Sequence, residues 1–244
     1  KIFILNWGLS KTAIPKQLEI ENIYKWFMKI GISLTGVSYD DGSIYRYRNY
    51  EDSVKEFYKY VINPLREKGH DVKIYIYTYD TIKTNDVLSA YKPIIKSKFI
   101  NQKEQILIPG TTVQGHNLIN GLRDMIGEDL DLIIKARFDI QFFKNPFEVY
   151  NWDFEKINFL WREPHREDLP LLNDTFFTFP YSMLESIIQG ILDCELKPYD
   201  NCKIALHNIY RPLIDLVGED NVIWLDDEFK TANQNQLYKL TRHE

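Results

Sequence analysis

Cysteine is nearly missing from this chain: Cys194 and Cys202 are the only two among 244 residues. Two thiols build neither a disulfide framework nor a thiolate zinc site, so a reducing, cytoplasmic setting is the expectation. Histidine is also scarce, with only His70, His116, His165, His207 and His243, which argues against a multi-histidine zinc centre. No run of 18 apolar residues occurs, so no transmembrane segment is expected, and no secretory signal is visible. The chain opens on Lys1 rather than Met, which gives these two absences little weight. The net charge of −5 comes without a long basic run, which argues against a nucleic-acid partner, because such binding rests on neutralising phosphates. Three catalytic signatures are absent. Without G-x-x-x-x-G-K-[ST] there is no P-loop, without G-x-G-x-x-G after a strand a dinucleotide fold is not expected, and without G-x-S-x-G the usual serine hydrolase reading falls away.

What is present is an ordinary apolar content, 44%, and a tyrosine-rich aromatic set. Tyrosine offers flat apolar area with a polar tip, suited to stacking on a sugar or a base and equally to filling a core. The pattern along the chain reads as α/β. Ile2 to Trp7 is a strand candidate and Gln17 to Ile30 a helix candidate within an N-terminal extension, residues 1–30. Ile32 to Val37 is a strand containing Gly36, followed by a polar loop, Asp40 to Asn49, with Arg46 and Arg48. Val54, Phe57, Tyr58, Val61, Ile62 and Leu65 recur at helical spacing; Asn49 is placed to cap that helix, Gly69 to end it, and Pro64 to kink or shorten it. Val72 to Tyr79 alternates as a strand, with Val72, Ile74, Ile76 and Thr78 on one face and Lys73, Tyr75, Tyr77 and Tyr79 on the other. Asp80 and Thr81 follow at its end.

Strand, helix and strand in succession imply a parallel sheet with right-handed crossovers, whose ligands sit beyond the carboxyl ends of the strands. Further strands are expected at Gln105 to Ile108, Leu132 to Ala136, Ile157 to Trp161, Thr175 to Phe179 and Val222 to Leu225. Helices are expected at His116 to Ile126, from Pro180 through Leu192, and from Cys202 to Val217 with Leu206, Ile209, Leu213 and Leu216 on its buried side. A charged loop lies between Arg162 and Pro170, and the polar tail, residues 231–244, is expected to be loosely held. One compact domain, residues 1–244, is the simplest account.

The most informative segment is Asp131 to Phe142, where a short apolar run leads into Arg137, Phe138 and Asp139. In an extended strand, positions i and i+2 share a face, so Arg137 and Asp139 point the same way while Phe138 turns into the core. A cation beside a carboxylate at the end of a buried strand costs desolvation energy. The pair is either an ion pair capping the strand or part of a site for a metal-bound diphosphate. Gly36, Asp80-Thr81 and Arg137/Asp139 would all meet at one edge of the sheet.

This segment resembles the R-x-D segment of GT-A-fold glycosyltransferases from surface-polysaccharide pathways, bacterial and from large DNA viruses. The resemblance extends, in order, to Leu34-Thr35-Gly36, to Arg46 and Arg48, to Asn63-Pro64-Leu65, to Tyr77 through Thr81, and to Asn173 through Pro180, and so covers Ile30 to Leu184. It implies a GT-A-like (Rossmann-like), mostly parallel twisted sheet flanked by helices. It also implies transfer of a hexose or pentose from a nucleotide-sugar donor, a UDP-sugar in the first instance, to a glycan hydroxyl with inversion. Asp139 would hold a divalent cation (Mn²⁺ or Mg²⁺) and His207 would be a late metal ligand. Where the family commonly has Asp-x-Asp, this chain has Arg137-Phe138-Asp139, so arginines neutralising the diphosphate without a metal is an open alternative. Thr35, Gly36, Arg46, Arg48, Asp80, Thr81 and Arg137 would grip the nucleotide diphosphate, and Asp174, or secondly Glu163, would be the base. His165 lies in the same charged loop as Glu163. Two other readings compete: a non-catalytic glycan- or nucleotide-binding module of the same fold, and a metal-dependent phosphoryl-transfer enzyme.

Overall fold

The computed structural model describes residues 27–42, 48–101, 104–163, 171–196, 205–226, 228, 230 and 235–241. The candidate strand Ile2 to Trp7, nearly all of the candidate helix ending at Ile30, and Arg46 and His165 lie outside these residues.

The first element among the described residues is β1 (Lys29–Thr35), so the last two positions of the expected extension already belong to the sheet. Two short strands, β2 (Tyr39–Asp40) and β3 (Arg48–Asn49), pair antiparallel where a plain loop was expected. The expected helix follows in three pieces: α1 (Glu51–Phe57), a π-helical turn (Tyr58–Ile62) and α2 (Asn63–Glu67). Proline lacks an N–H and crowds the preceding turn, and here the backbone widens just ahead of Pro64, with the Asn63 N–H donating to the Tyr58 carbonyl. Asn49 does not occupy the cap position, yet its side chain accepts the Glu51 N–H at 3.1 Å.

Next come β4 (Asp71–Tyr79), α3 (Thr84–Ala90), β5 (Ile94–Ile100), α4 (Val113–Arg123) and β6 (Leu132–Arg137). The expected strand at Gln105 to Ile108 is not formed; that stretch is irregular, and Ile106 is 89% exposed. β7 (Ile140–Phe142), α5 (Pro146–Val149), β8 (Ile157–Phe159), β9 (Arg162–Glu163), β10 (Leu171–Leu172) and β11 (Phe177–Pro180) follow. Pro180 ends β11 and precedes a 3₁₀ turn, so α6 (Leu184–Leu196) starts four residues later than the proline suggested. The last elements are α7 (Tyr210–Val217), β12 (Val222–Trp224) and β13 (Tyr238–Leu240). Leu213 is buried as expected, but Leu216 is 44% exposed. β13 corrects the loosely held tail: it pairs with β7, and Tyr238 is buried against Trp161 and Phe142.

The main sheet has seven strands in the order β12-β8-β11-β6-β1-β4-β5. β5, β4, β1 and β6 are parallel, β12 is parallel to β8, and β11 runs antiparallel to both of its neighbours. The fold is therefore mixed α/β around a mostly parallel sheet. Both faces are covered. Ile30, Ile32, Leu34, Val72, Ile74, Ile76, Leu132 and Ile134 pack in one cluster with Phe57, Val61 and Leu65 of the first helical stretch. Tyr75 and Ile133 face the other cluster, with Leu118, Ile119 and Leu122 of α4 and with α6. Burial of both faces makes the central strands nearly continuous apolar runs. No helix among the described residues is long and apolar enough to cross a membrane.

This topology fixes where a ligand can sit. From β1 the chain passes through α1 and α2 on one face to reach β4, then uses α4 on the opposite face to reach β6 on the other side of β1. The order reverses between β1 and β6, which opens a crevice beyond their carboxyl ends. Gly121 lets α4 close down there: a Cβ at this position would stand 2.7 Å from Thr35 Cγ2 and 3.2 Å from Tyr77 Cβ.

Candidate functional site

At that crevice lies a cavity of about 400 Å³ lined by Thr35 to Val37, Asp40, Arg48, Tyr79, Thr112 to Gln114, Asn117, Leu118, Lys135 to Asp139 apart from Ala136, and Leu206. Parallel register sets its floor. Ser33 pairs with Lys135 and Thr35 with Arg137, and all four lie on the α4 face, because Ile32, Leu34, Ile134 and Ala136 take the other. Phe138 turns into the opposite core and packs edge-on to Tyr91, with ring centroids 5.7 Å apart.

Arg137 and Asp139 meet as a two-point fork: Nε donates to Oδ1 at 2.9 Å and a terminal nitrogen to Oδ2 at 2.8 Å. Arg48, brought in by the β2–β3 pair, has Nε 3.6 Å from the same Oδ2. Burial works against the charge on Arg137, but Asp139 and then Asp174 outweigh it, and the guanidinium stays firmly protonated. Lys135 is 1% exposed, its Nζ donating to the Asp174 carbonyl and lying 5.7 Å from the Phe177 ring centre. Burial pushes its pKa down to about 8; Asp174 and Asp139 oppose the shift and Arg137 adds to it.

The β1 turn is held by Thr78, whose hydroxyl donates to the Gly36 carbonyl at 2.7 Å and accepts the Ser38 N–H at 3.2 Å. Gly36 has φ +105°, a backbone region that side chains disfavour, and a Cβ there would meet nothing within 4 Å. At the start of α4, Thr112 accepts the Gly115 N–H at 3.1 Å, while the Thr112 N–H and hydroxyl donate to Glu195, which is buried in α6. Tyr79, Asn117 and Gln105 close a ring of hydrogen bonds at one wall.

Of the residues singled out from sequence, Thr35, Gly36, Arg48, Arg137 and Asp139 share this cavity. Asp174 and His207 meet each other nearby. Nδ1 of His207 donates to the Leu172 carbonyl at 2.8 Å, and Nε2 stands 3.7 Å from Asp174 Oδ1. Gln114, which lines the cavity, donates to Asp174 Oδ2, so this carboxylate, 3% exposed, sits behind the wall. Asp80 and Thr81 are not brought to the cavity. They form the turn ahead of α3, where Thr84 donates to Asp80 Oδ1 at 2.7 Å and accepts the Thr81 N–H at 3.0 Å. The backbone of Glu163 pairs with Leu171 in the β9–β10 ribbon.

The arrangement is a poor match for the expected metal ligands. Both oxygens of Asp139 accept from Arg137, a second guanidinium lies beside them, and His207 is engaged with Leu172 and Asp174. No group of three or more His, Cys, Asp or Glu side chains with metal-binding geometry occurs among the described residues. Lys135 is the site residue that the motif reading passed over. Its signal was a lysine inside the apolar run Leu132 to Ala136, two positions before Arg137 and hence on the same face. Asp40, Tyr79, Gln114 and Asn117 had no comparable signal. No protein-family model matches the chain, and no curated protein matches it.

Proposed function

We propose that this protein is a nucleotide-sugar-dependent glycosyltransferase of GT-A-like fold, using this cavity for the donor and a glycan hydroxyl as acceptor. The observation that carries the reading is the cationic floor at the switch point: Arg48, Lys135 and Arg137 line one crevice at the carboxyl ends of β1 and β6. Glycosyl transfer from such a donor breaks a sugar–phosphate bond and leaves negative charge on a diphosphate. Preorganised cations in a water-poor crevice stabilise that charge far more than water does. Arginine suits the task, because its planar fork grips phosphate oxygens in pairs. Tyr79 and Asn117 offer a flat ring and an amide at the wall for a base or a sugar.

In this reading Asp174 takes the proton of the acceptor hydroxyl and Nε2 of His207 stands ready beside it. The test is a panel of UDP-, GDP- and dTDP-sugars with glycan acceptors, following both transfer and donor hydrolysis. Transfer from at least one donor is expected, with Arg137→Ala lowering kcat/KM at least a hundredfold. No turnover of any donor by the wild-type protein would sink the reading.

The second reading is a binding module of the same fold, with no turnover. One observation favours it: Asp174, the first candidate base, is buried behind Gln114 rather than open to the cavity. Nucleotide-sugar binding without transfer or hydrolysis is its expected outcome.

A further inference from the structure

We propose that the cavity holds the diphosphate of its ligand without a divalent cation, the positive charge coming from Arg48, Lys135 and Arg137, with Asp139 acting as the residue that positions the two guanidiniums. This deepens the transferase reading and rests on the same cavity, but it concerns charge compensation and stands or falls separately from turnover.

A carboxylate that binds Mg²⁺ or Mn²⁺ must offer an oxygen to the ion. Here Oδ1 and Oδ2 each accept a short hydrogen bond from Arg137, and Arg48 adds its charge at 3.6 Å. A dication beside this carboxylate would sit against two guanidiniums and would compete with a two-point charge-assisted pair for the same oxygens.

The second element is what surrounds the pair. Guanidinium carries five N–H donors, and Asp139 takes two of those on Arg137. Lys135 comes from the same strand face two residues earlier, and Arg48 from the β2–β3 pair, so the cations converge from two separate stretches of chain. Among the described residues the lining carboxylates are Asp40 and Asp139, against three lining cations, with Asp174 behind the wall at Gln114. Asp40 accepts the Gly42 N–H at 2.8 Å, which shapes the approach to Arg48.

Isothermal titration of UDP, GDP and dTDP, run once with EDTA and once with Mn²⁺, tests the proposal alongside the donor assay. At least one nucleoside diphosphate is expected to bind in EDTA, with Mn²⁺ tightening it less than threefold. Lys135→Met is expected to weaken it at least tenfold. Arg48→Gln, also buried but carried by the short β2–β3 pair rather than by the main sheet, serves as a second variant should the Lys135 substitution disturb folding, and a severalfold loss is expected. Binding that tightens tenfold or more with Mn²⁺, or that both variants leave unchanged, overturns the proposal. Sugar transfer that requires Mn²⁺ overturns it while the transferase reading survives. Binding in EDTA without turnover of any donor supports it while the transferase reading falls. No binding of any nucleoside diphosphate under either condition overturns both.

Discussion

The two faces of β6 teach opposite lessons from six consecutive residues. One face, Leu132, Ile134 and Ala136, continues through Phe138 into a cluster with Phe57, Tyr91 and Phe142, where rings meet at centroid distances of 5.7 to 6.4 Å. The other begins apolar at Ile133 and becomes cationic at Lys135 and Arg137 as the strand reaches the rim. The apolar face makes burial of the charged one affordable: hydrophobic packing anchors the strand, and the anchored strand holds charges where water would otherwise spread them. Alternation in an extended chain is what lets one segment do both.

Breaking the apolar face should have the largest effect. Phe138→Ala removes a ring that is 2% exposed and should cost about 3–5 kcal/mol in denaturant titration. It should also loosen Arg137 and Asp139 on either side, so ligand affinity should fall along with stability.

Changing the charged face should move stability the other way. Lys135 titrates at about 8 when folded and near its ordinary 10.5 when unfolded. Between these values the unfolded chain holds a proton that the folded chain has released, so stability rises as pH climbs from about 8 to 10.5; below 8 the cost of the buried charge is fully present. Lys135→Met should therefore be more stable than wild type at pH 7, by about 3 kcal/mol, and the difference should shrink above pH 8. A Met variant that is less stable at pH 7 would mean that the Nζ bond to the Asp174 carbonyl outweighs desolvation.

The smallest effect should come from Asp80→Ala, which sharpens the contrast between rim residues inside and outside the cavity. Losing the Thr84 hydroxyl bond at an exposed turn should cost about 0.5–1 kcal/mol. Nucleotide affinity should stay unchanged; a tenfold loss would place Asp80 at the ligand after all.

What the sequence made legible follows the same divide. β1, β4 and β6 stood out through apolar residues at strand spacing: Ile32 and Leu34 in β1, Val72, Ile74 and Ile76 in β4, and the short run Leu132 to Ile134 in β6. Arg137, Asp139 and the inward turn of Phe138 followed from period-two geometry alone. β5 escaped because it is an edge strand: Ile95, Lys96, Ser97 and Lys98 are exposed, and lysines on an edge discourage further pairing rather than advertise a strand. β13 escaped because its pairing with β7 bridges almost a hundred residues, and nothing local in Tyr238 to Leu240 announces it. Asp80 was assigned to the ligand because it ends a central strand, yet the nearby Thr84 hydroxyl claims it. The link from Gln114 to Asp174 joins α4 to the approach of β11, a contact that no spacing rule anticipates.

The reversed direction of β11 has a bearing on how this rim could diversify. Every other strand of the main sheet runs toward the cavity end, and its contribution there is a loop that follows it. β11 runs away from it: Asn173 and Asp174 stand at the threshold before the chain enters the sheet, and the Asp174 carbonyl meets Lys135 across the gap. Insertions just upstream of Phe177 would thus remodel the Asp174 side of the crevice, whereas those just after Pro180 would alter only the opposite end of the sheet.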